Sequence, residues 1–80
     1  MNNPTPQEVQ AYVAQKKQNL DVCFTYFCSK PPAFARTQIR LLKRNIEEAK
    51  QRGFENWKAR ADAEVAIDLY KSVLQWHKNN

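Results

Sequence analysis

Residues 31–53 read PPAFARTQIRLLKRNIEEAKQRG, opening on two prolines and closing on Gly53, the only glycine in the chain. Proline cannot continue a helix interior and holds its predecessor out of the α region, yet it fits the first helical turn without loss. Glycine accepts the left-handed backbone that ends many helices. Between these two stops Ala35, Ile39, Leu42, Ile46 and Ala49 recur at spacings of 4, 3, 4 and 3, the rhythm of a single packing seam. Phe34 and Leu41 widen that seam to one side. The spacing predicts a helix over about residues 33–52.

On the N-terminal side, Thr5-Pro6-Gln7-Glu8 combines a capping-box threonine and glutamate with proline at the first helical position. From there Val9, Tyr12, Val13, Leu20, Cys23, Phe24 and Phe27 fall within an arc of roughly 120° when each residue advances about 100°. This favours one helix over about residues 6–28. Lys16 interrupts the apolar stripe. Either its stem lies along the core with the ammonium in water, or it marks a break near residues 16–21. On the C-terminal side, a helix over about 56–78 gathers Ala59, Ala66, Leu69, Tyr70, Val73, Leu74, Trp76 and His77 on one face, with Arg60, Glu64, Asp68, Lys71 and Gln75 on the other. No stretch alternates with the period of two that a strand requires.

These readings predict a single all-α domain over residues 1–80, a small up-down-up three-helix bundle with very short connections. The alternative is four helices, with the first broken near residues 16–21.

Eighty residues, of which 42% are apolar and 11% aromatic, suffice for one small core. One glycine cannot write a phosphate cradle, a nucleophile elbow or a dinucleotide fingerprint. Apolar runs stop at four residues, as in Ala11-Tyr12-Val13-Ala14, so no membrane-spanning helix is expected. Met1-Asn2-Asn3-Pro4-Thr5-Pro6 lacks the basic start and apolar run of a secretory signal, which leads to a cytoplasmic expectation with reduced thiols. Cys23 and Cys28 stand five apart, about 140° around a helix, too divergent for a bridge within it. With His77 they make three metal ligands where a structural zinc site takes four. No metal or cofactor is expected.

The charge is uneven. Net charge is +5. Residues 32–53 hold Arg36, Arg40, Lys43, Arg44, Lys50 and Arg52 against only Glu47 and Glu48, while residues 54–80 balance. Arg36, Arg40, Lys43, Arg44 and Lys50 lie opposite the apolar seam within about 120°, a stripe able to follow a phosphate backbone. Glu47 lies in the same arc, and Glu48 follows Arg44 by four residues. The bland reading is therefore a solvated face stabilised by i,i+4 pairs. No zinc-finger, homeodomain or RNA-recognition signature accompanies the stripe.

Val22 and Tyr26 point away from the stripe of the first helix, and Trp57 projects to the polar side if the last helix begins before it. Exposed aromatic residues of this kind anchor protein interfaces. The competing reading packs residues 22–28 between both other helices and folds Phe54 and Trp57 back over the bundle end. His77, the only histidine, reads as a packed side chain or a favourable charge near a helix C-terminus. No base and nucleophile pair up, and a thin bundle offers little concavity for chemistry. The sequence therefore leads to a small non-enzymatic protein acting as adaptor, inhibitor or regulator through Val22, Tyr26 and Trp57. Its partner is another protein or a second copy in a homodimer, without a membrane. The alternative is a nucleic-acid-binding module using Arg36, Arg40, Lys43, Arg44 and Lys50.

Overall fold

Four helices, α1 (Pro6–Asp21), α2 (Phe24–Cys28), α3 (Pro32–Arg52) and α4 (Trp57–Asn79), make up the computed structural model, which describes residues 4–53 and 56–80. No strand occurs among the described residues, and the all-α class stands. Among the described residues no helix is long and apolar enough to cross a membrane.

The ends of the helices follow from local chemistry. Thr5 Oγ1 accepts the Glu8 N–H at 3.1 Å, which satisfies one of the free amides of α1. Helix α3 starts at Pro32 and stops at Gly53, whose φ of 75° is the left-handed end that the lone glycine predicts. Helix α4 has a cap that the sequence reading did not identify: Asn56 Oδ1 accepts the Lys58 N–H at 2.9 Å. The expectation that Phe54 folds back over the bundle end concerns a position outside the described residues.

The first third of the chain is two helices, so the continuous helix over residues 6–28 is corrected to the four-helix alternative. The break falls at Val22 and Cys23, just beyond the predicted 16–21 window. Lys16 does not cause it. Its ammonium lies 3.7 Å from Asp62 Oδ1, so a charge in the apolar stripe is met by a carboxylate from α4. At the break the Cys23 N–H reaches back three residues to the Leu20 carbonyl at 2.9 Å, a tightened turn that redirects the chain. The redirection brings Phe24, Phe27 and Cys28 onto α4 and the start of α3.

Helix α4 is the centre of the molecule. Helices α1, α2 and α3 all pack against it, whereas α1 and α3 lie on its two flanks rather than against each other. Tyr12 and Lys16 of α1 meet Asp62 near the start of α4, and Phe27 and Phe34 meet Tyr70 further along it. Helix α1 thus runs parallel to α4, and α3, leaving its end through Gly53 into the start of α4, runs antiparallel. The body measures 45 × 27 × 16 Å.

The core is small. Ala61, Val65, Ile67, Leu69 and Val73 of α4 are buried, joined by Cys28 and Ala35. Val73, with 1% of its surface exposed, sits where α2, α3 and α4 meet, surrounded by Cys28, Ala35, Phe24, Phe27, Tyr70 and Leu74. Phe27, Phe34 and Tyr70 form an aromatic cluster there, with ring centroids 5.1 to 6.2 Å apart. The sequence-level face of α4 needs correction at both its edges: Ala59 and Trp76 are exposed, while Ala61, Val65 and Ile67 are buried. A helix flanked on two sides buries two narrow stripes, not one broad face. Helix α1 contributes no fully buried residue.

Candidate interaction surfaces

The turn that separates α1 from α2 creates the first candidate surface. Val22 and Cys23 keep right-handed backbone angles, so Val22 and Tyr26, four apart, stay on one side of the chain. Because Phe24, Phe27 and Cys28 occupy the inward side, Val22 and Tyr26 face water, with 81% and 58% of their surfaces exposed. Gln18, Thr25 and Ser29 are exposed on the same stretch and surround this apolar pair with polar groups. The Lys30 ammonium lies 5.0 Å from the centre of the Tyr26 ring, and the Phe27 ring meets Tyr26 edge-on at 5.5 Å. Tyr26 is therefore an exposed aromatic ring whose orientation is fixed from behind by a core residue.

Trp57 lies elsewhere. As the first residue of α4 it is half-buried, its ring edge-on to Tyr12 at 5.3 Å. Tyr12 precedes Val22 by ten residues, about 15 Å along α1, so Val22 and Tyr26 are brought together and Trp57 is not. Tyr12 is the centre of a junction that periodicity did not reveal. Its hydroxyl donates to Asp62 Oδ1 at 2.8 Å, and the Lys16 and Lys58 ammoniums lie 5.6 and 5.7 Å from its ring centre. The hydrogen bond to Asp62, then burial and the carboxylate charge, raises the Tyr12 pKa above the ordinary tyrosine value. The junction fastens α1 to α4 by polar contacts where α1 lacks buried apolar side chains.

The second candidate surface is the outer side of α3. Arg36, Arg40, Lys43, Arg44 and Lys50 are all exposed, as their position opposite the seam requires, and Ile39, Leu42 and Ile46 are partly covered. Arg44 Nε donates to Glu48 Oε1 at 3.0 Å. Among the described residues no ion pair engages Arg36, Arg40, Lys43 or Lys50. Glu47, although exposed in the same arc, neutralises none of them directly.

The remaining chemistry-bearing side chains do not converge. Cys23 and Cys28 are free thiols, the latter buried, and burial raises its pKa. No three His, Cys, Asp or Glu side chains gather into a metal-binding group among the described residues. His77 is partly buried near the end of α4 against the edge of Trp76, with its Nε2 unpartnered. Between α1 and α3 a groove of about 520 Å³ runs over Ala59, Ala63 and Ala66 of α4, with Leu20 and Leu42 on its two sides. Leu41 and Trp76 are two further exposed apolar residues; sequence periodicity placed both on apolar faces.

No protein-family model matches this chain, and neither a curated protein nor a solved structure matches it at a significant level.

Proposed function

We propose that this chain is a non-enzymatic helical binding module, an adaptor, inhibitor or regulator, that engages a protein partner through the elbow between α1 and α2. One observation supports this reading: Val22 and Tyr26 are exposed on a segment whose other side is packed into the core. Leaving an aliphatic and an aromatic side chain in water gains nothing for folding, whereas tyrosine on a rigid support is among the commonest anchors of protein interfaces. An apolar centre ringed by polar side chains is also the usual anatomy of such a contact. A stable interface covers about 800 Å² on each partner, so the elbow acts as the centre of a contact that extends onto neighbouring exposed residues. The cytoplasm is the compartment assigned, where Cys23 and Cys28 remain thiols.

A second copy is the first partner to test, because the closed symmetric dimer is the commonest form of self-association. Sedimentation measures it directly, and affinity capture from host extract after nuclease treatment measures partners other than itself. Tyr26→Asp and Val22→Asp should each abolish the dimer or the nuclease-resistant partner at unchanged helix content. If the native protein is monomeric and captures no such partner, or if both variants bind as well as it does, the elbow is not the contact.

A further inference from the structure

We infer that the outer face of α3 is a docking surface for double-helical nucleic acid, independent of the elbow. Three observations lead there. First, α3 packs on α4 along its apolar seam and, as a flank of the molecule, leaves its opposite side open over 21 residues, about 30 Å. Second, that open side presents Arg36, Arg40, Lys43 and Lys50 without ion-pair partners among the described residues, and Arg44 with one. Third, the side chains among these cations are Thr37, Gln51, Glu47 and Ala33, all exposed.

That composition decides between two kinds of acidic partner. A protein interface is organised around aromatic or aliphatic anchors, with lysine depleted at its centre. This face has no aromatic anchor, and its one exposed aliphatic side chain, Leu41, stands at its edge beside Thr37 and Arg44. Phosphate and sugar contacts are made by arginine, lysine, threonine and glutamine, which are the residue types present. The placement fits as well: a helix with side chains is about 10–12 Å across, and the major groove is about 12 Å wide. A flanking helix whose outer half is free can approach a duplex without its neighbours colliding. Glu47 and the Arg44–Glu48 pair lower the field at the C-terminal half of the row, so the firmest contacts fall to Arg36, Arg40 and Lys43. The contacts inferred are those of cations with the phosphate backbone, so little sequence preference is expected.

The test is fluorescence anisotropy of the full chain with a labelled random duplex of about 20 base pairs between about 50 and 200 mM salt. Four phosphates neutralised by the four unpaired cations give a log–log salt slope near −3.6, an affinity loss of about 10²-fold across that range. Arg40→Ala with Lys43→Ala should make the slope shallower by about 1.8 and weaken binding by about 10-fold or more at the lower salt. Arg36→Ala alone should shift it by about half as much. Lys17→Ala with Lys78→Ala, which removes equal charge from other exposed positions, should change neither quantity materially. Absence of binding at the lower salt overturns the inference, as does an equal loss in the Lys17/Lys78 variant. Tighter binding to polyglutamate than to duplex assigns the face to an acidic protein. Binding to phosphatidylserine vesicles but not to duplex assigns it to a membrane surface. Either result also overturns the inference, and neither bears on the Tyr26 contact.

Discussion

Two valines make the most direct test of how this molecule is held together. Val73 is 1% exposed at the meeting point of α2, α3 and α4, and Val22 is 81% exposed at the elbow. The same substitution, valine to alanine, should therefore have very unequal consequences. At Val73 it removes two methyl groups, about 1.6 kcal/mol of transfer free energy at ~0.8 kcal/mol each. A cavity of about 50 Å³ left unrelaxed adds roughly 1 kcal/mol. The better helix propensity of alanine returns about 0.5 kcal/mol. The net loss is about 2 kcal/mol, out of a total of roughly 4–12 kcal/mol for a chain of this size. Such a loss corresponds to a fall in Tm of about 10 °C. At Val22 the change should stay within about 0.5 kcal/mol of zero. Urea titration followed by far-ultraviolet circular dichroism reads both, and the slope with denaturant should be unchanged in each. A Val73→Ala loss below about 1 kcal/mol, or an equal loss at Val22, would refute the packing described around α4.

Further outcomes follow from the helix end and from titration. Gly53→Ala should cost about 1 kcal/mol in the same urea assay. An added Cβ meets nothing within 4 Å, so the whole effect comes from the φ of 75°, and an unchanged midpoint would deny the left-handed helix end. Stability should decline in alkali. Burial raises the Cys28 pKa, burial and then nearby Cys23 raise that of Tyr70, and the Asp62 hydrogen bond is foremost in raising that of Tyr12. Each group holds its proton more tightly folded than unfolded. Its contribution is complete below about pH 8.5 and disappears as pH rises through the folded values. Urea midpoints measured from about pH 7 to pH 10.5 should fall at the alkaline end, and a flat profile would contradict the burial of Cys28 and Tyr70 and the Tyr12–Asp62 hydrogen bond. At the elbow, Tyr26→Asp should remove partner binding in sedimentation or nuclease-treated capture. On α3, Arg40→Ala with Lys43→Ala should flatten the salt dependence of duplex binding.

What the sequence disclosed depended on whether a feature is local. Helix α3 was readable to within a residue because its limits are chemical: proline at one end and the only glycine at the other. Its cations were readable as exposed because a seam on one side of a helix defines the opposite side. Val22 and Tyr26 were readable for the same reason, since the turn at Val22–Cys23 leaves their backbone right-handed and preserves the angular relation. The break was readable only as an alternative, placed just short of Val22–Cys23, because no proline or glycine marks it; it lays Phe24, Phe27 and Cys28 against Val73. The Tyr12–Asp62–Lys16 junction depends on α1 running beside α4, and fifty residues separate its hydrogen-bonded pair. No periodicity reports on a contact of that range. Trp57 was ambiguous in sequence because its direction depends on where α4 starts, which the Asn56 cap fixes.

The two-sided burial of α4 explains both the misread core and the location of the proposed surfaces. A central helix must present apolar side chains to two neighbours: Val65 and Leu69 lie beside α1, Ile67 is buried outside that stripe, and the single-stripe pattern dissolves. The flanking helices face the opposite constraint: each needs only one apolar strip, which leaves most of its circumference free. Helix α1 takes this furthest, burying no residue and relying on Tyr12 and Lys16 for attachment. Helix α3 keeps a strict seam and carries more cations on its remaining surface than any other helix does. The outer sides of the flanks can change charge or expose an aromatic ring at little cost to stability, because the core around Val73 does not include them. The proposed contacts at the elbow and along α3 thus lie on the flanks, and α4, which supplies most of the buried side chains, holds those flanks in place.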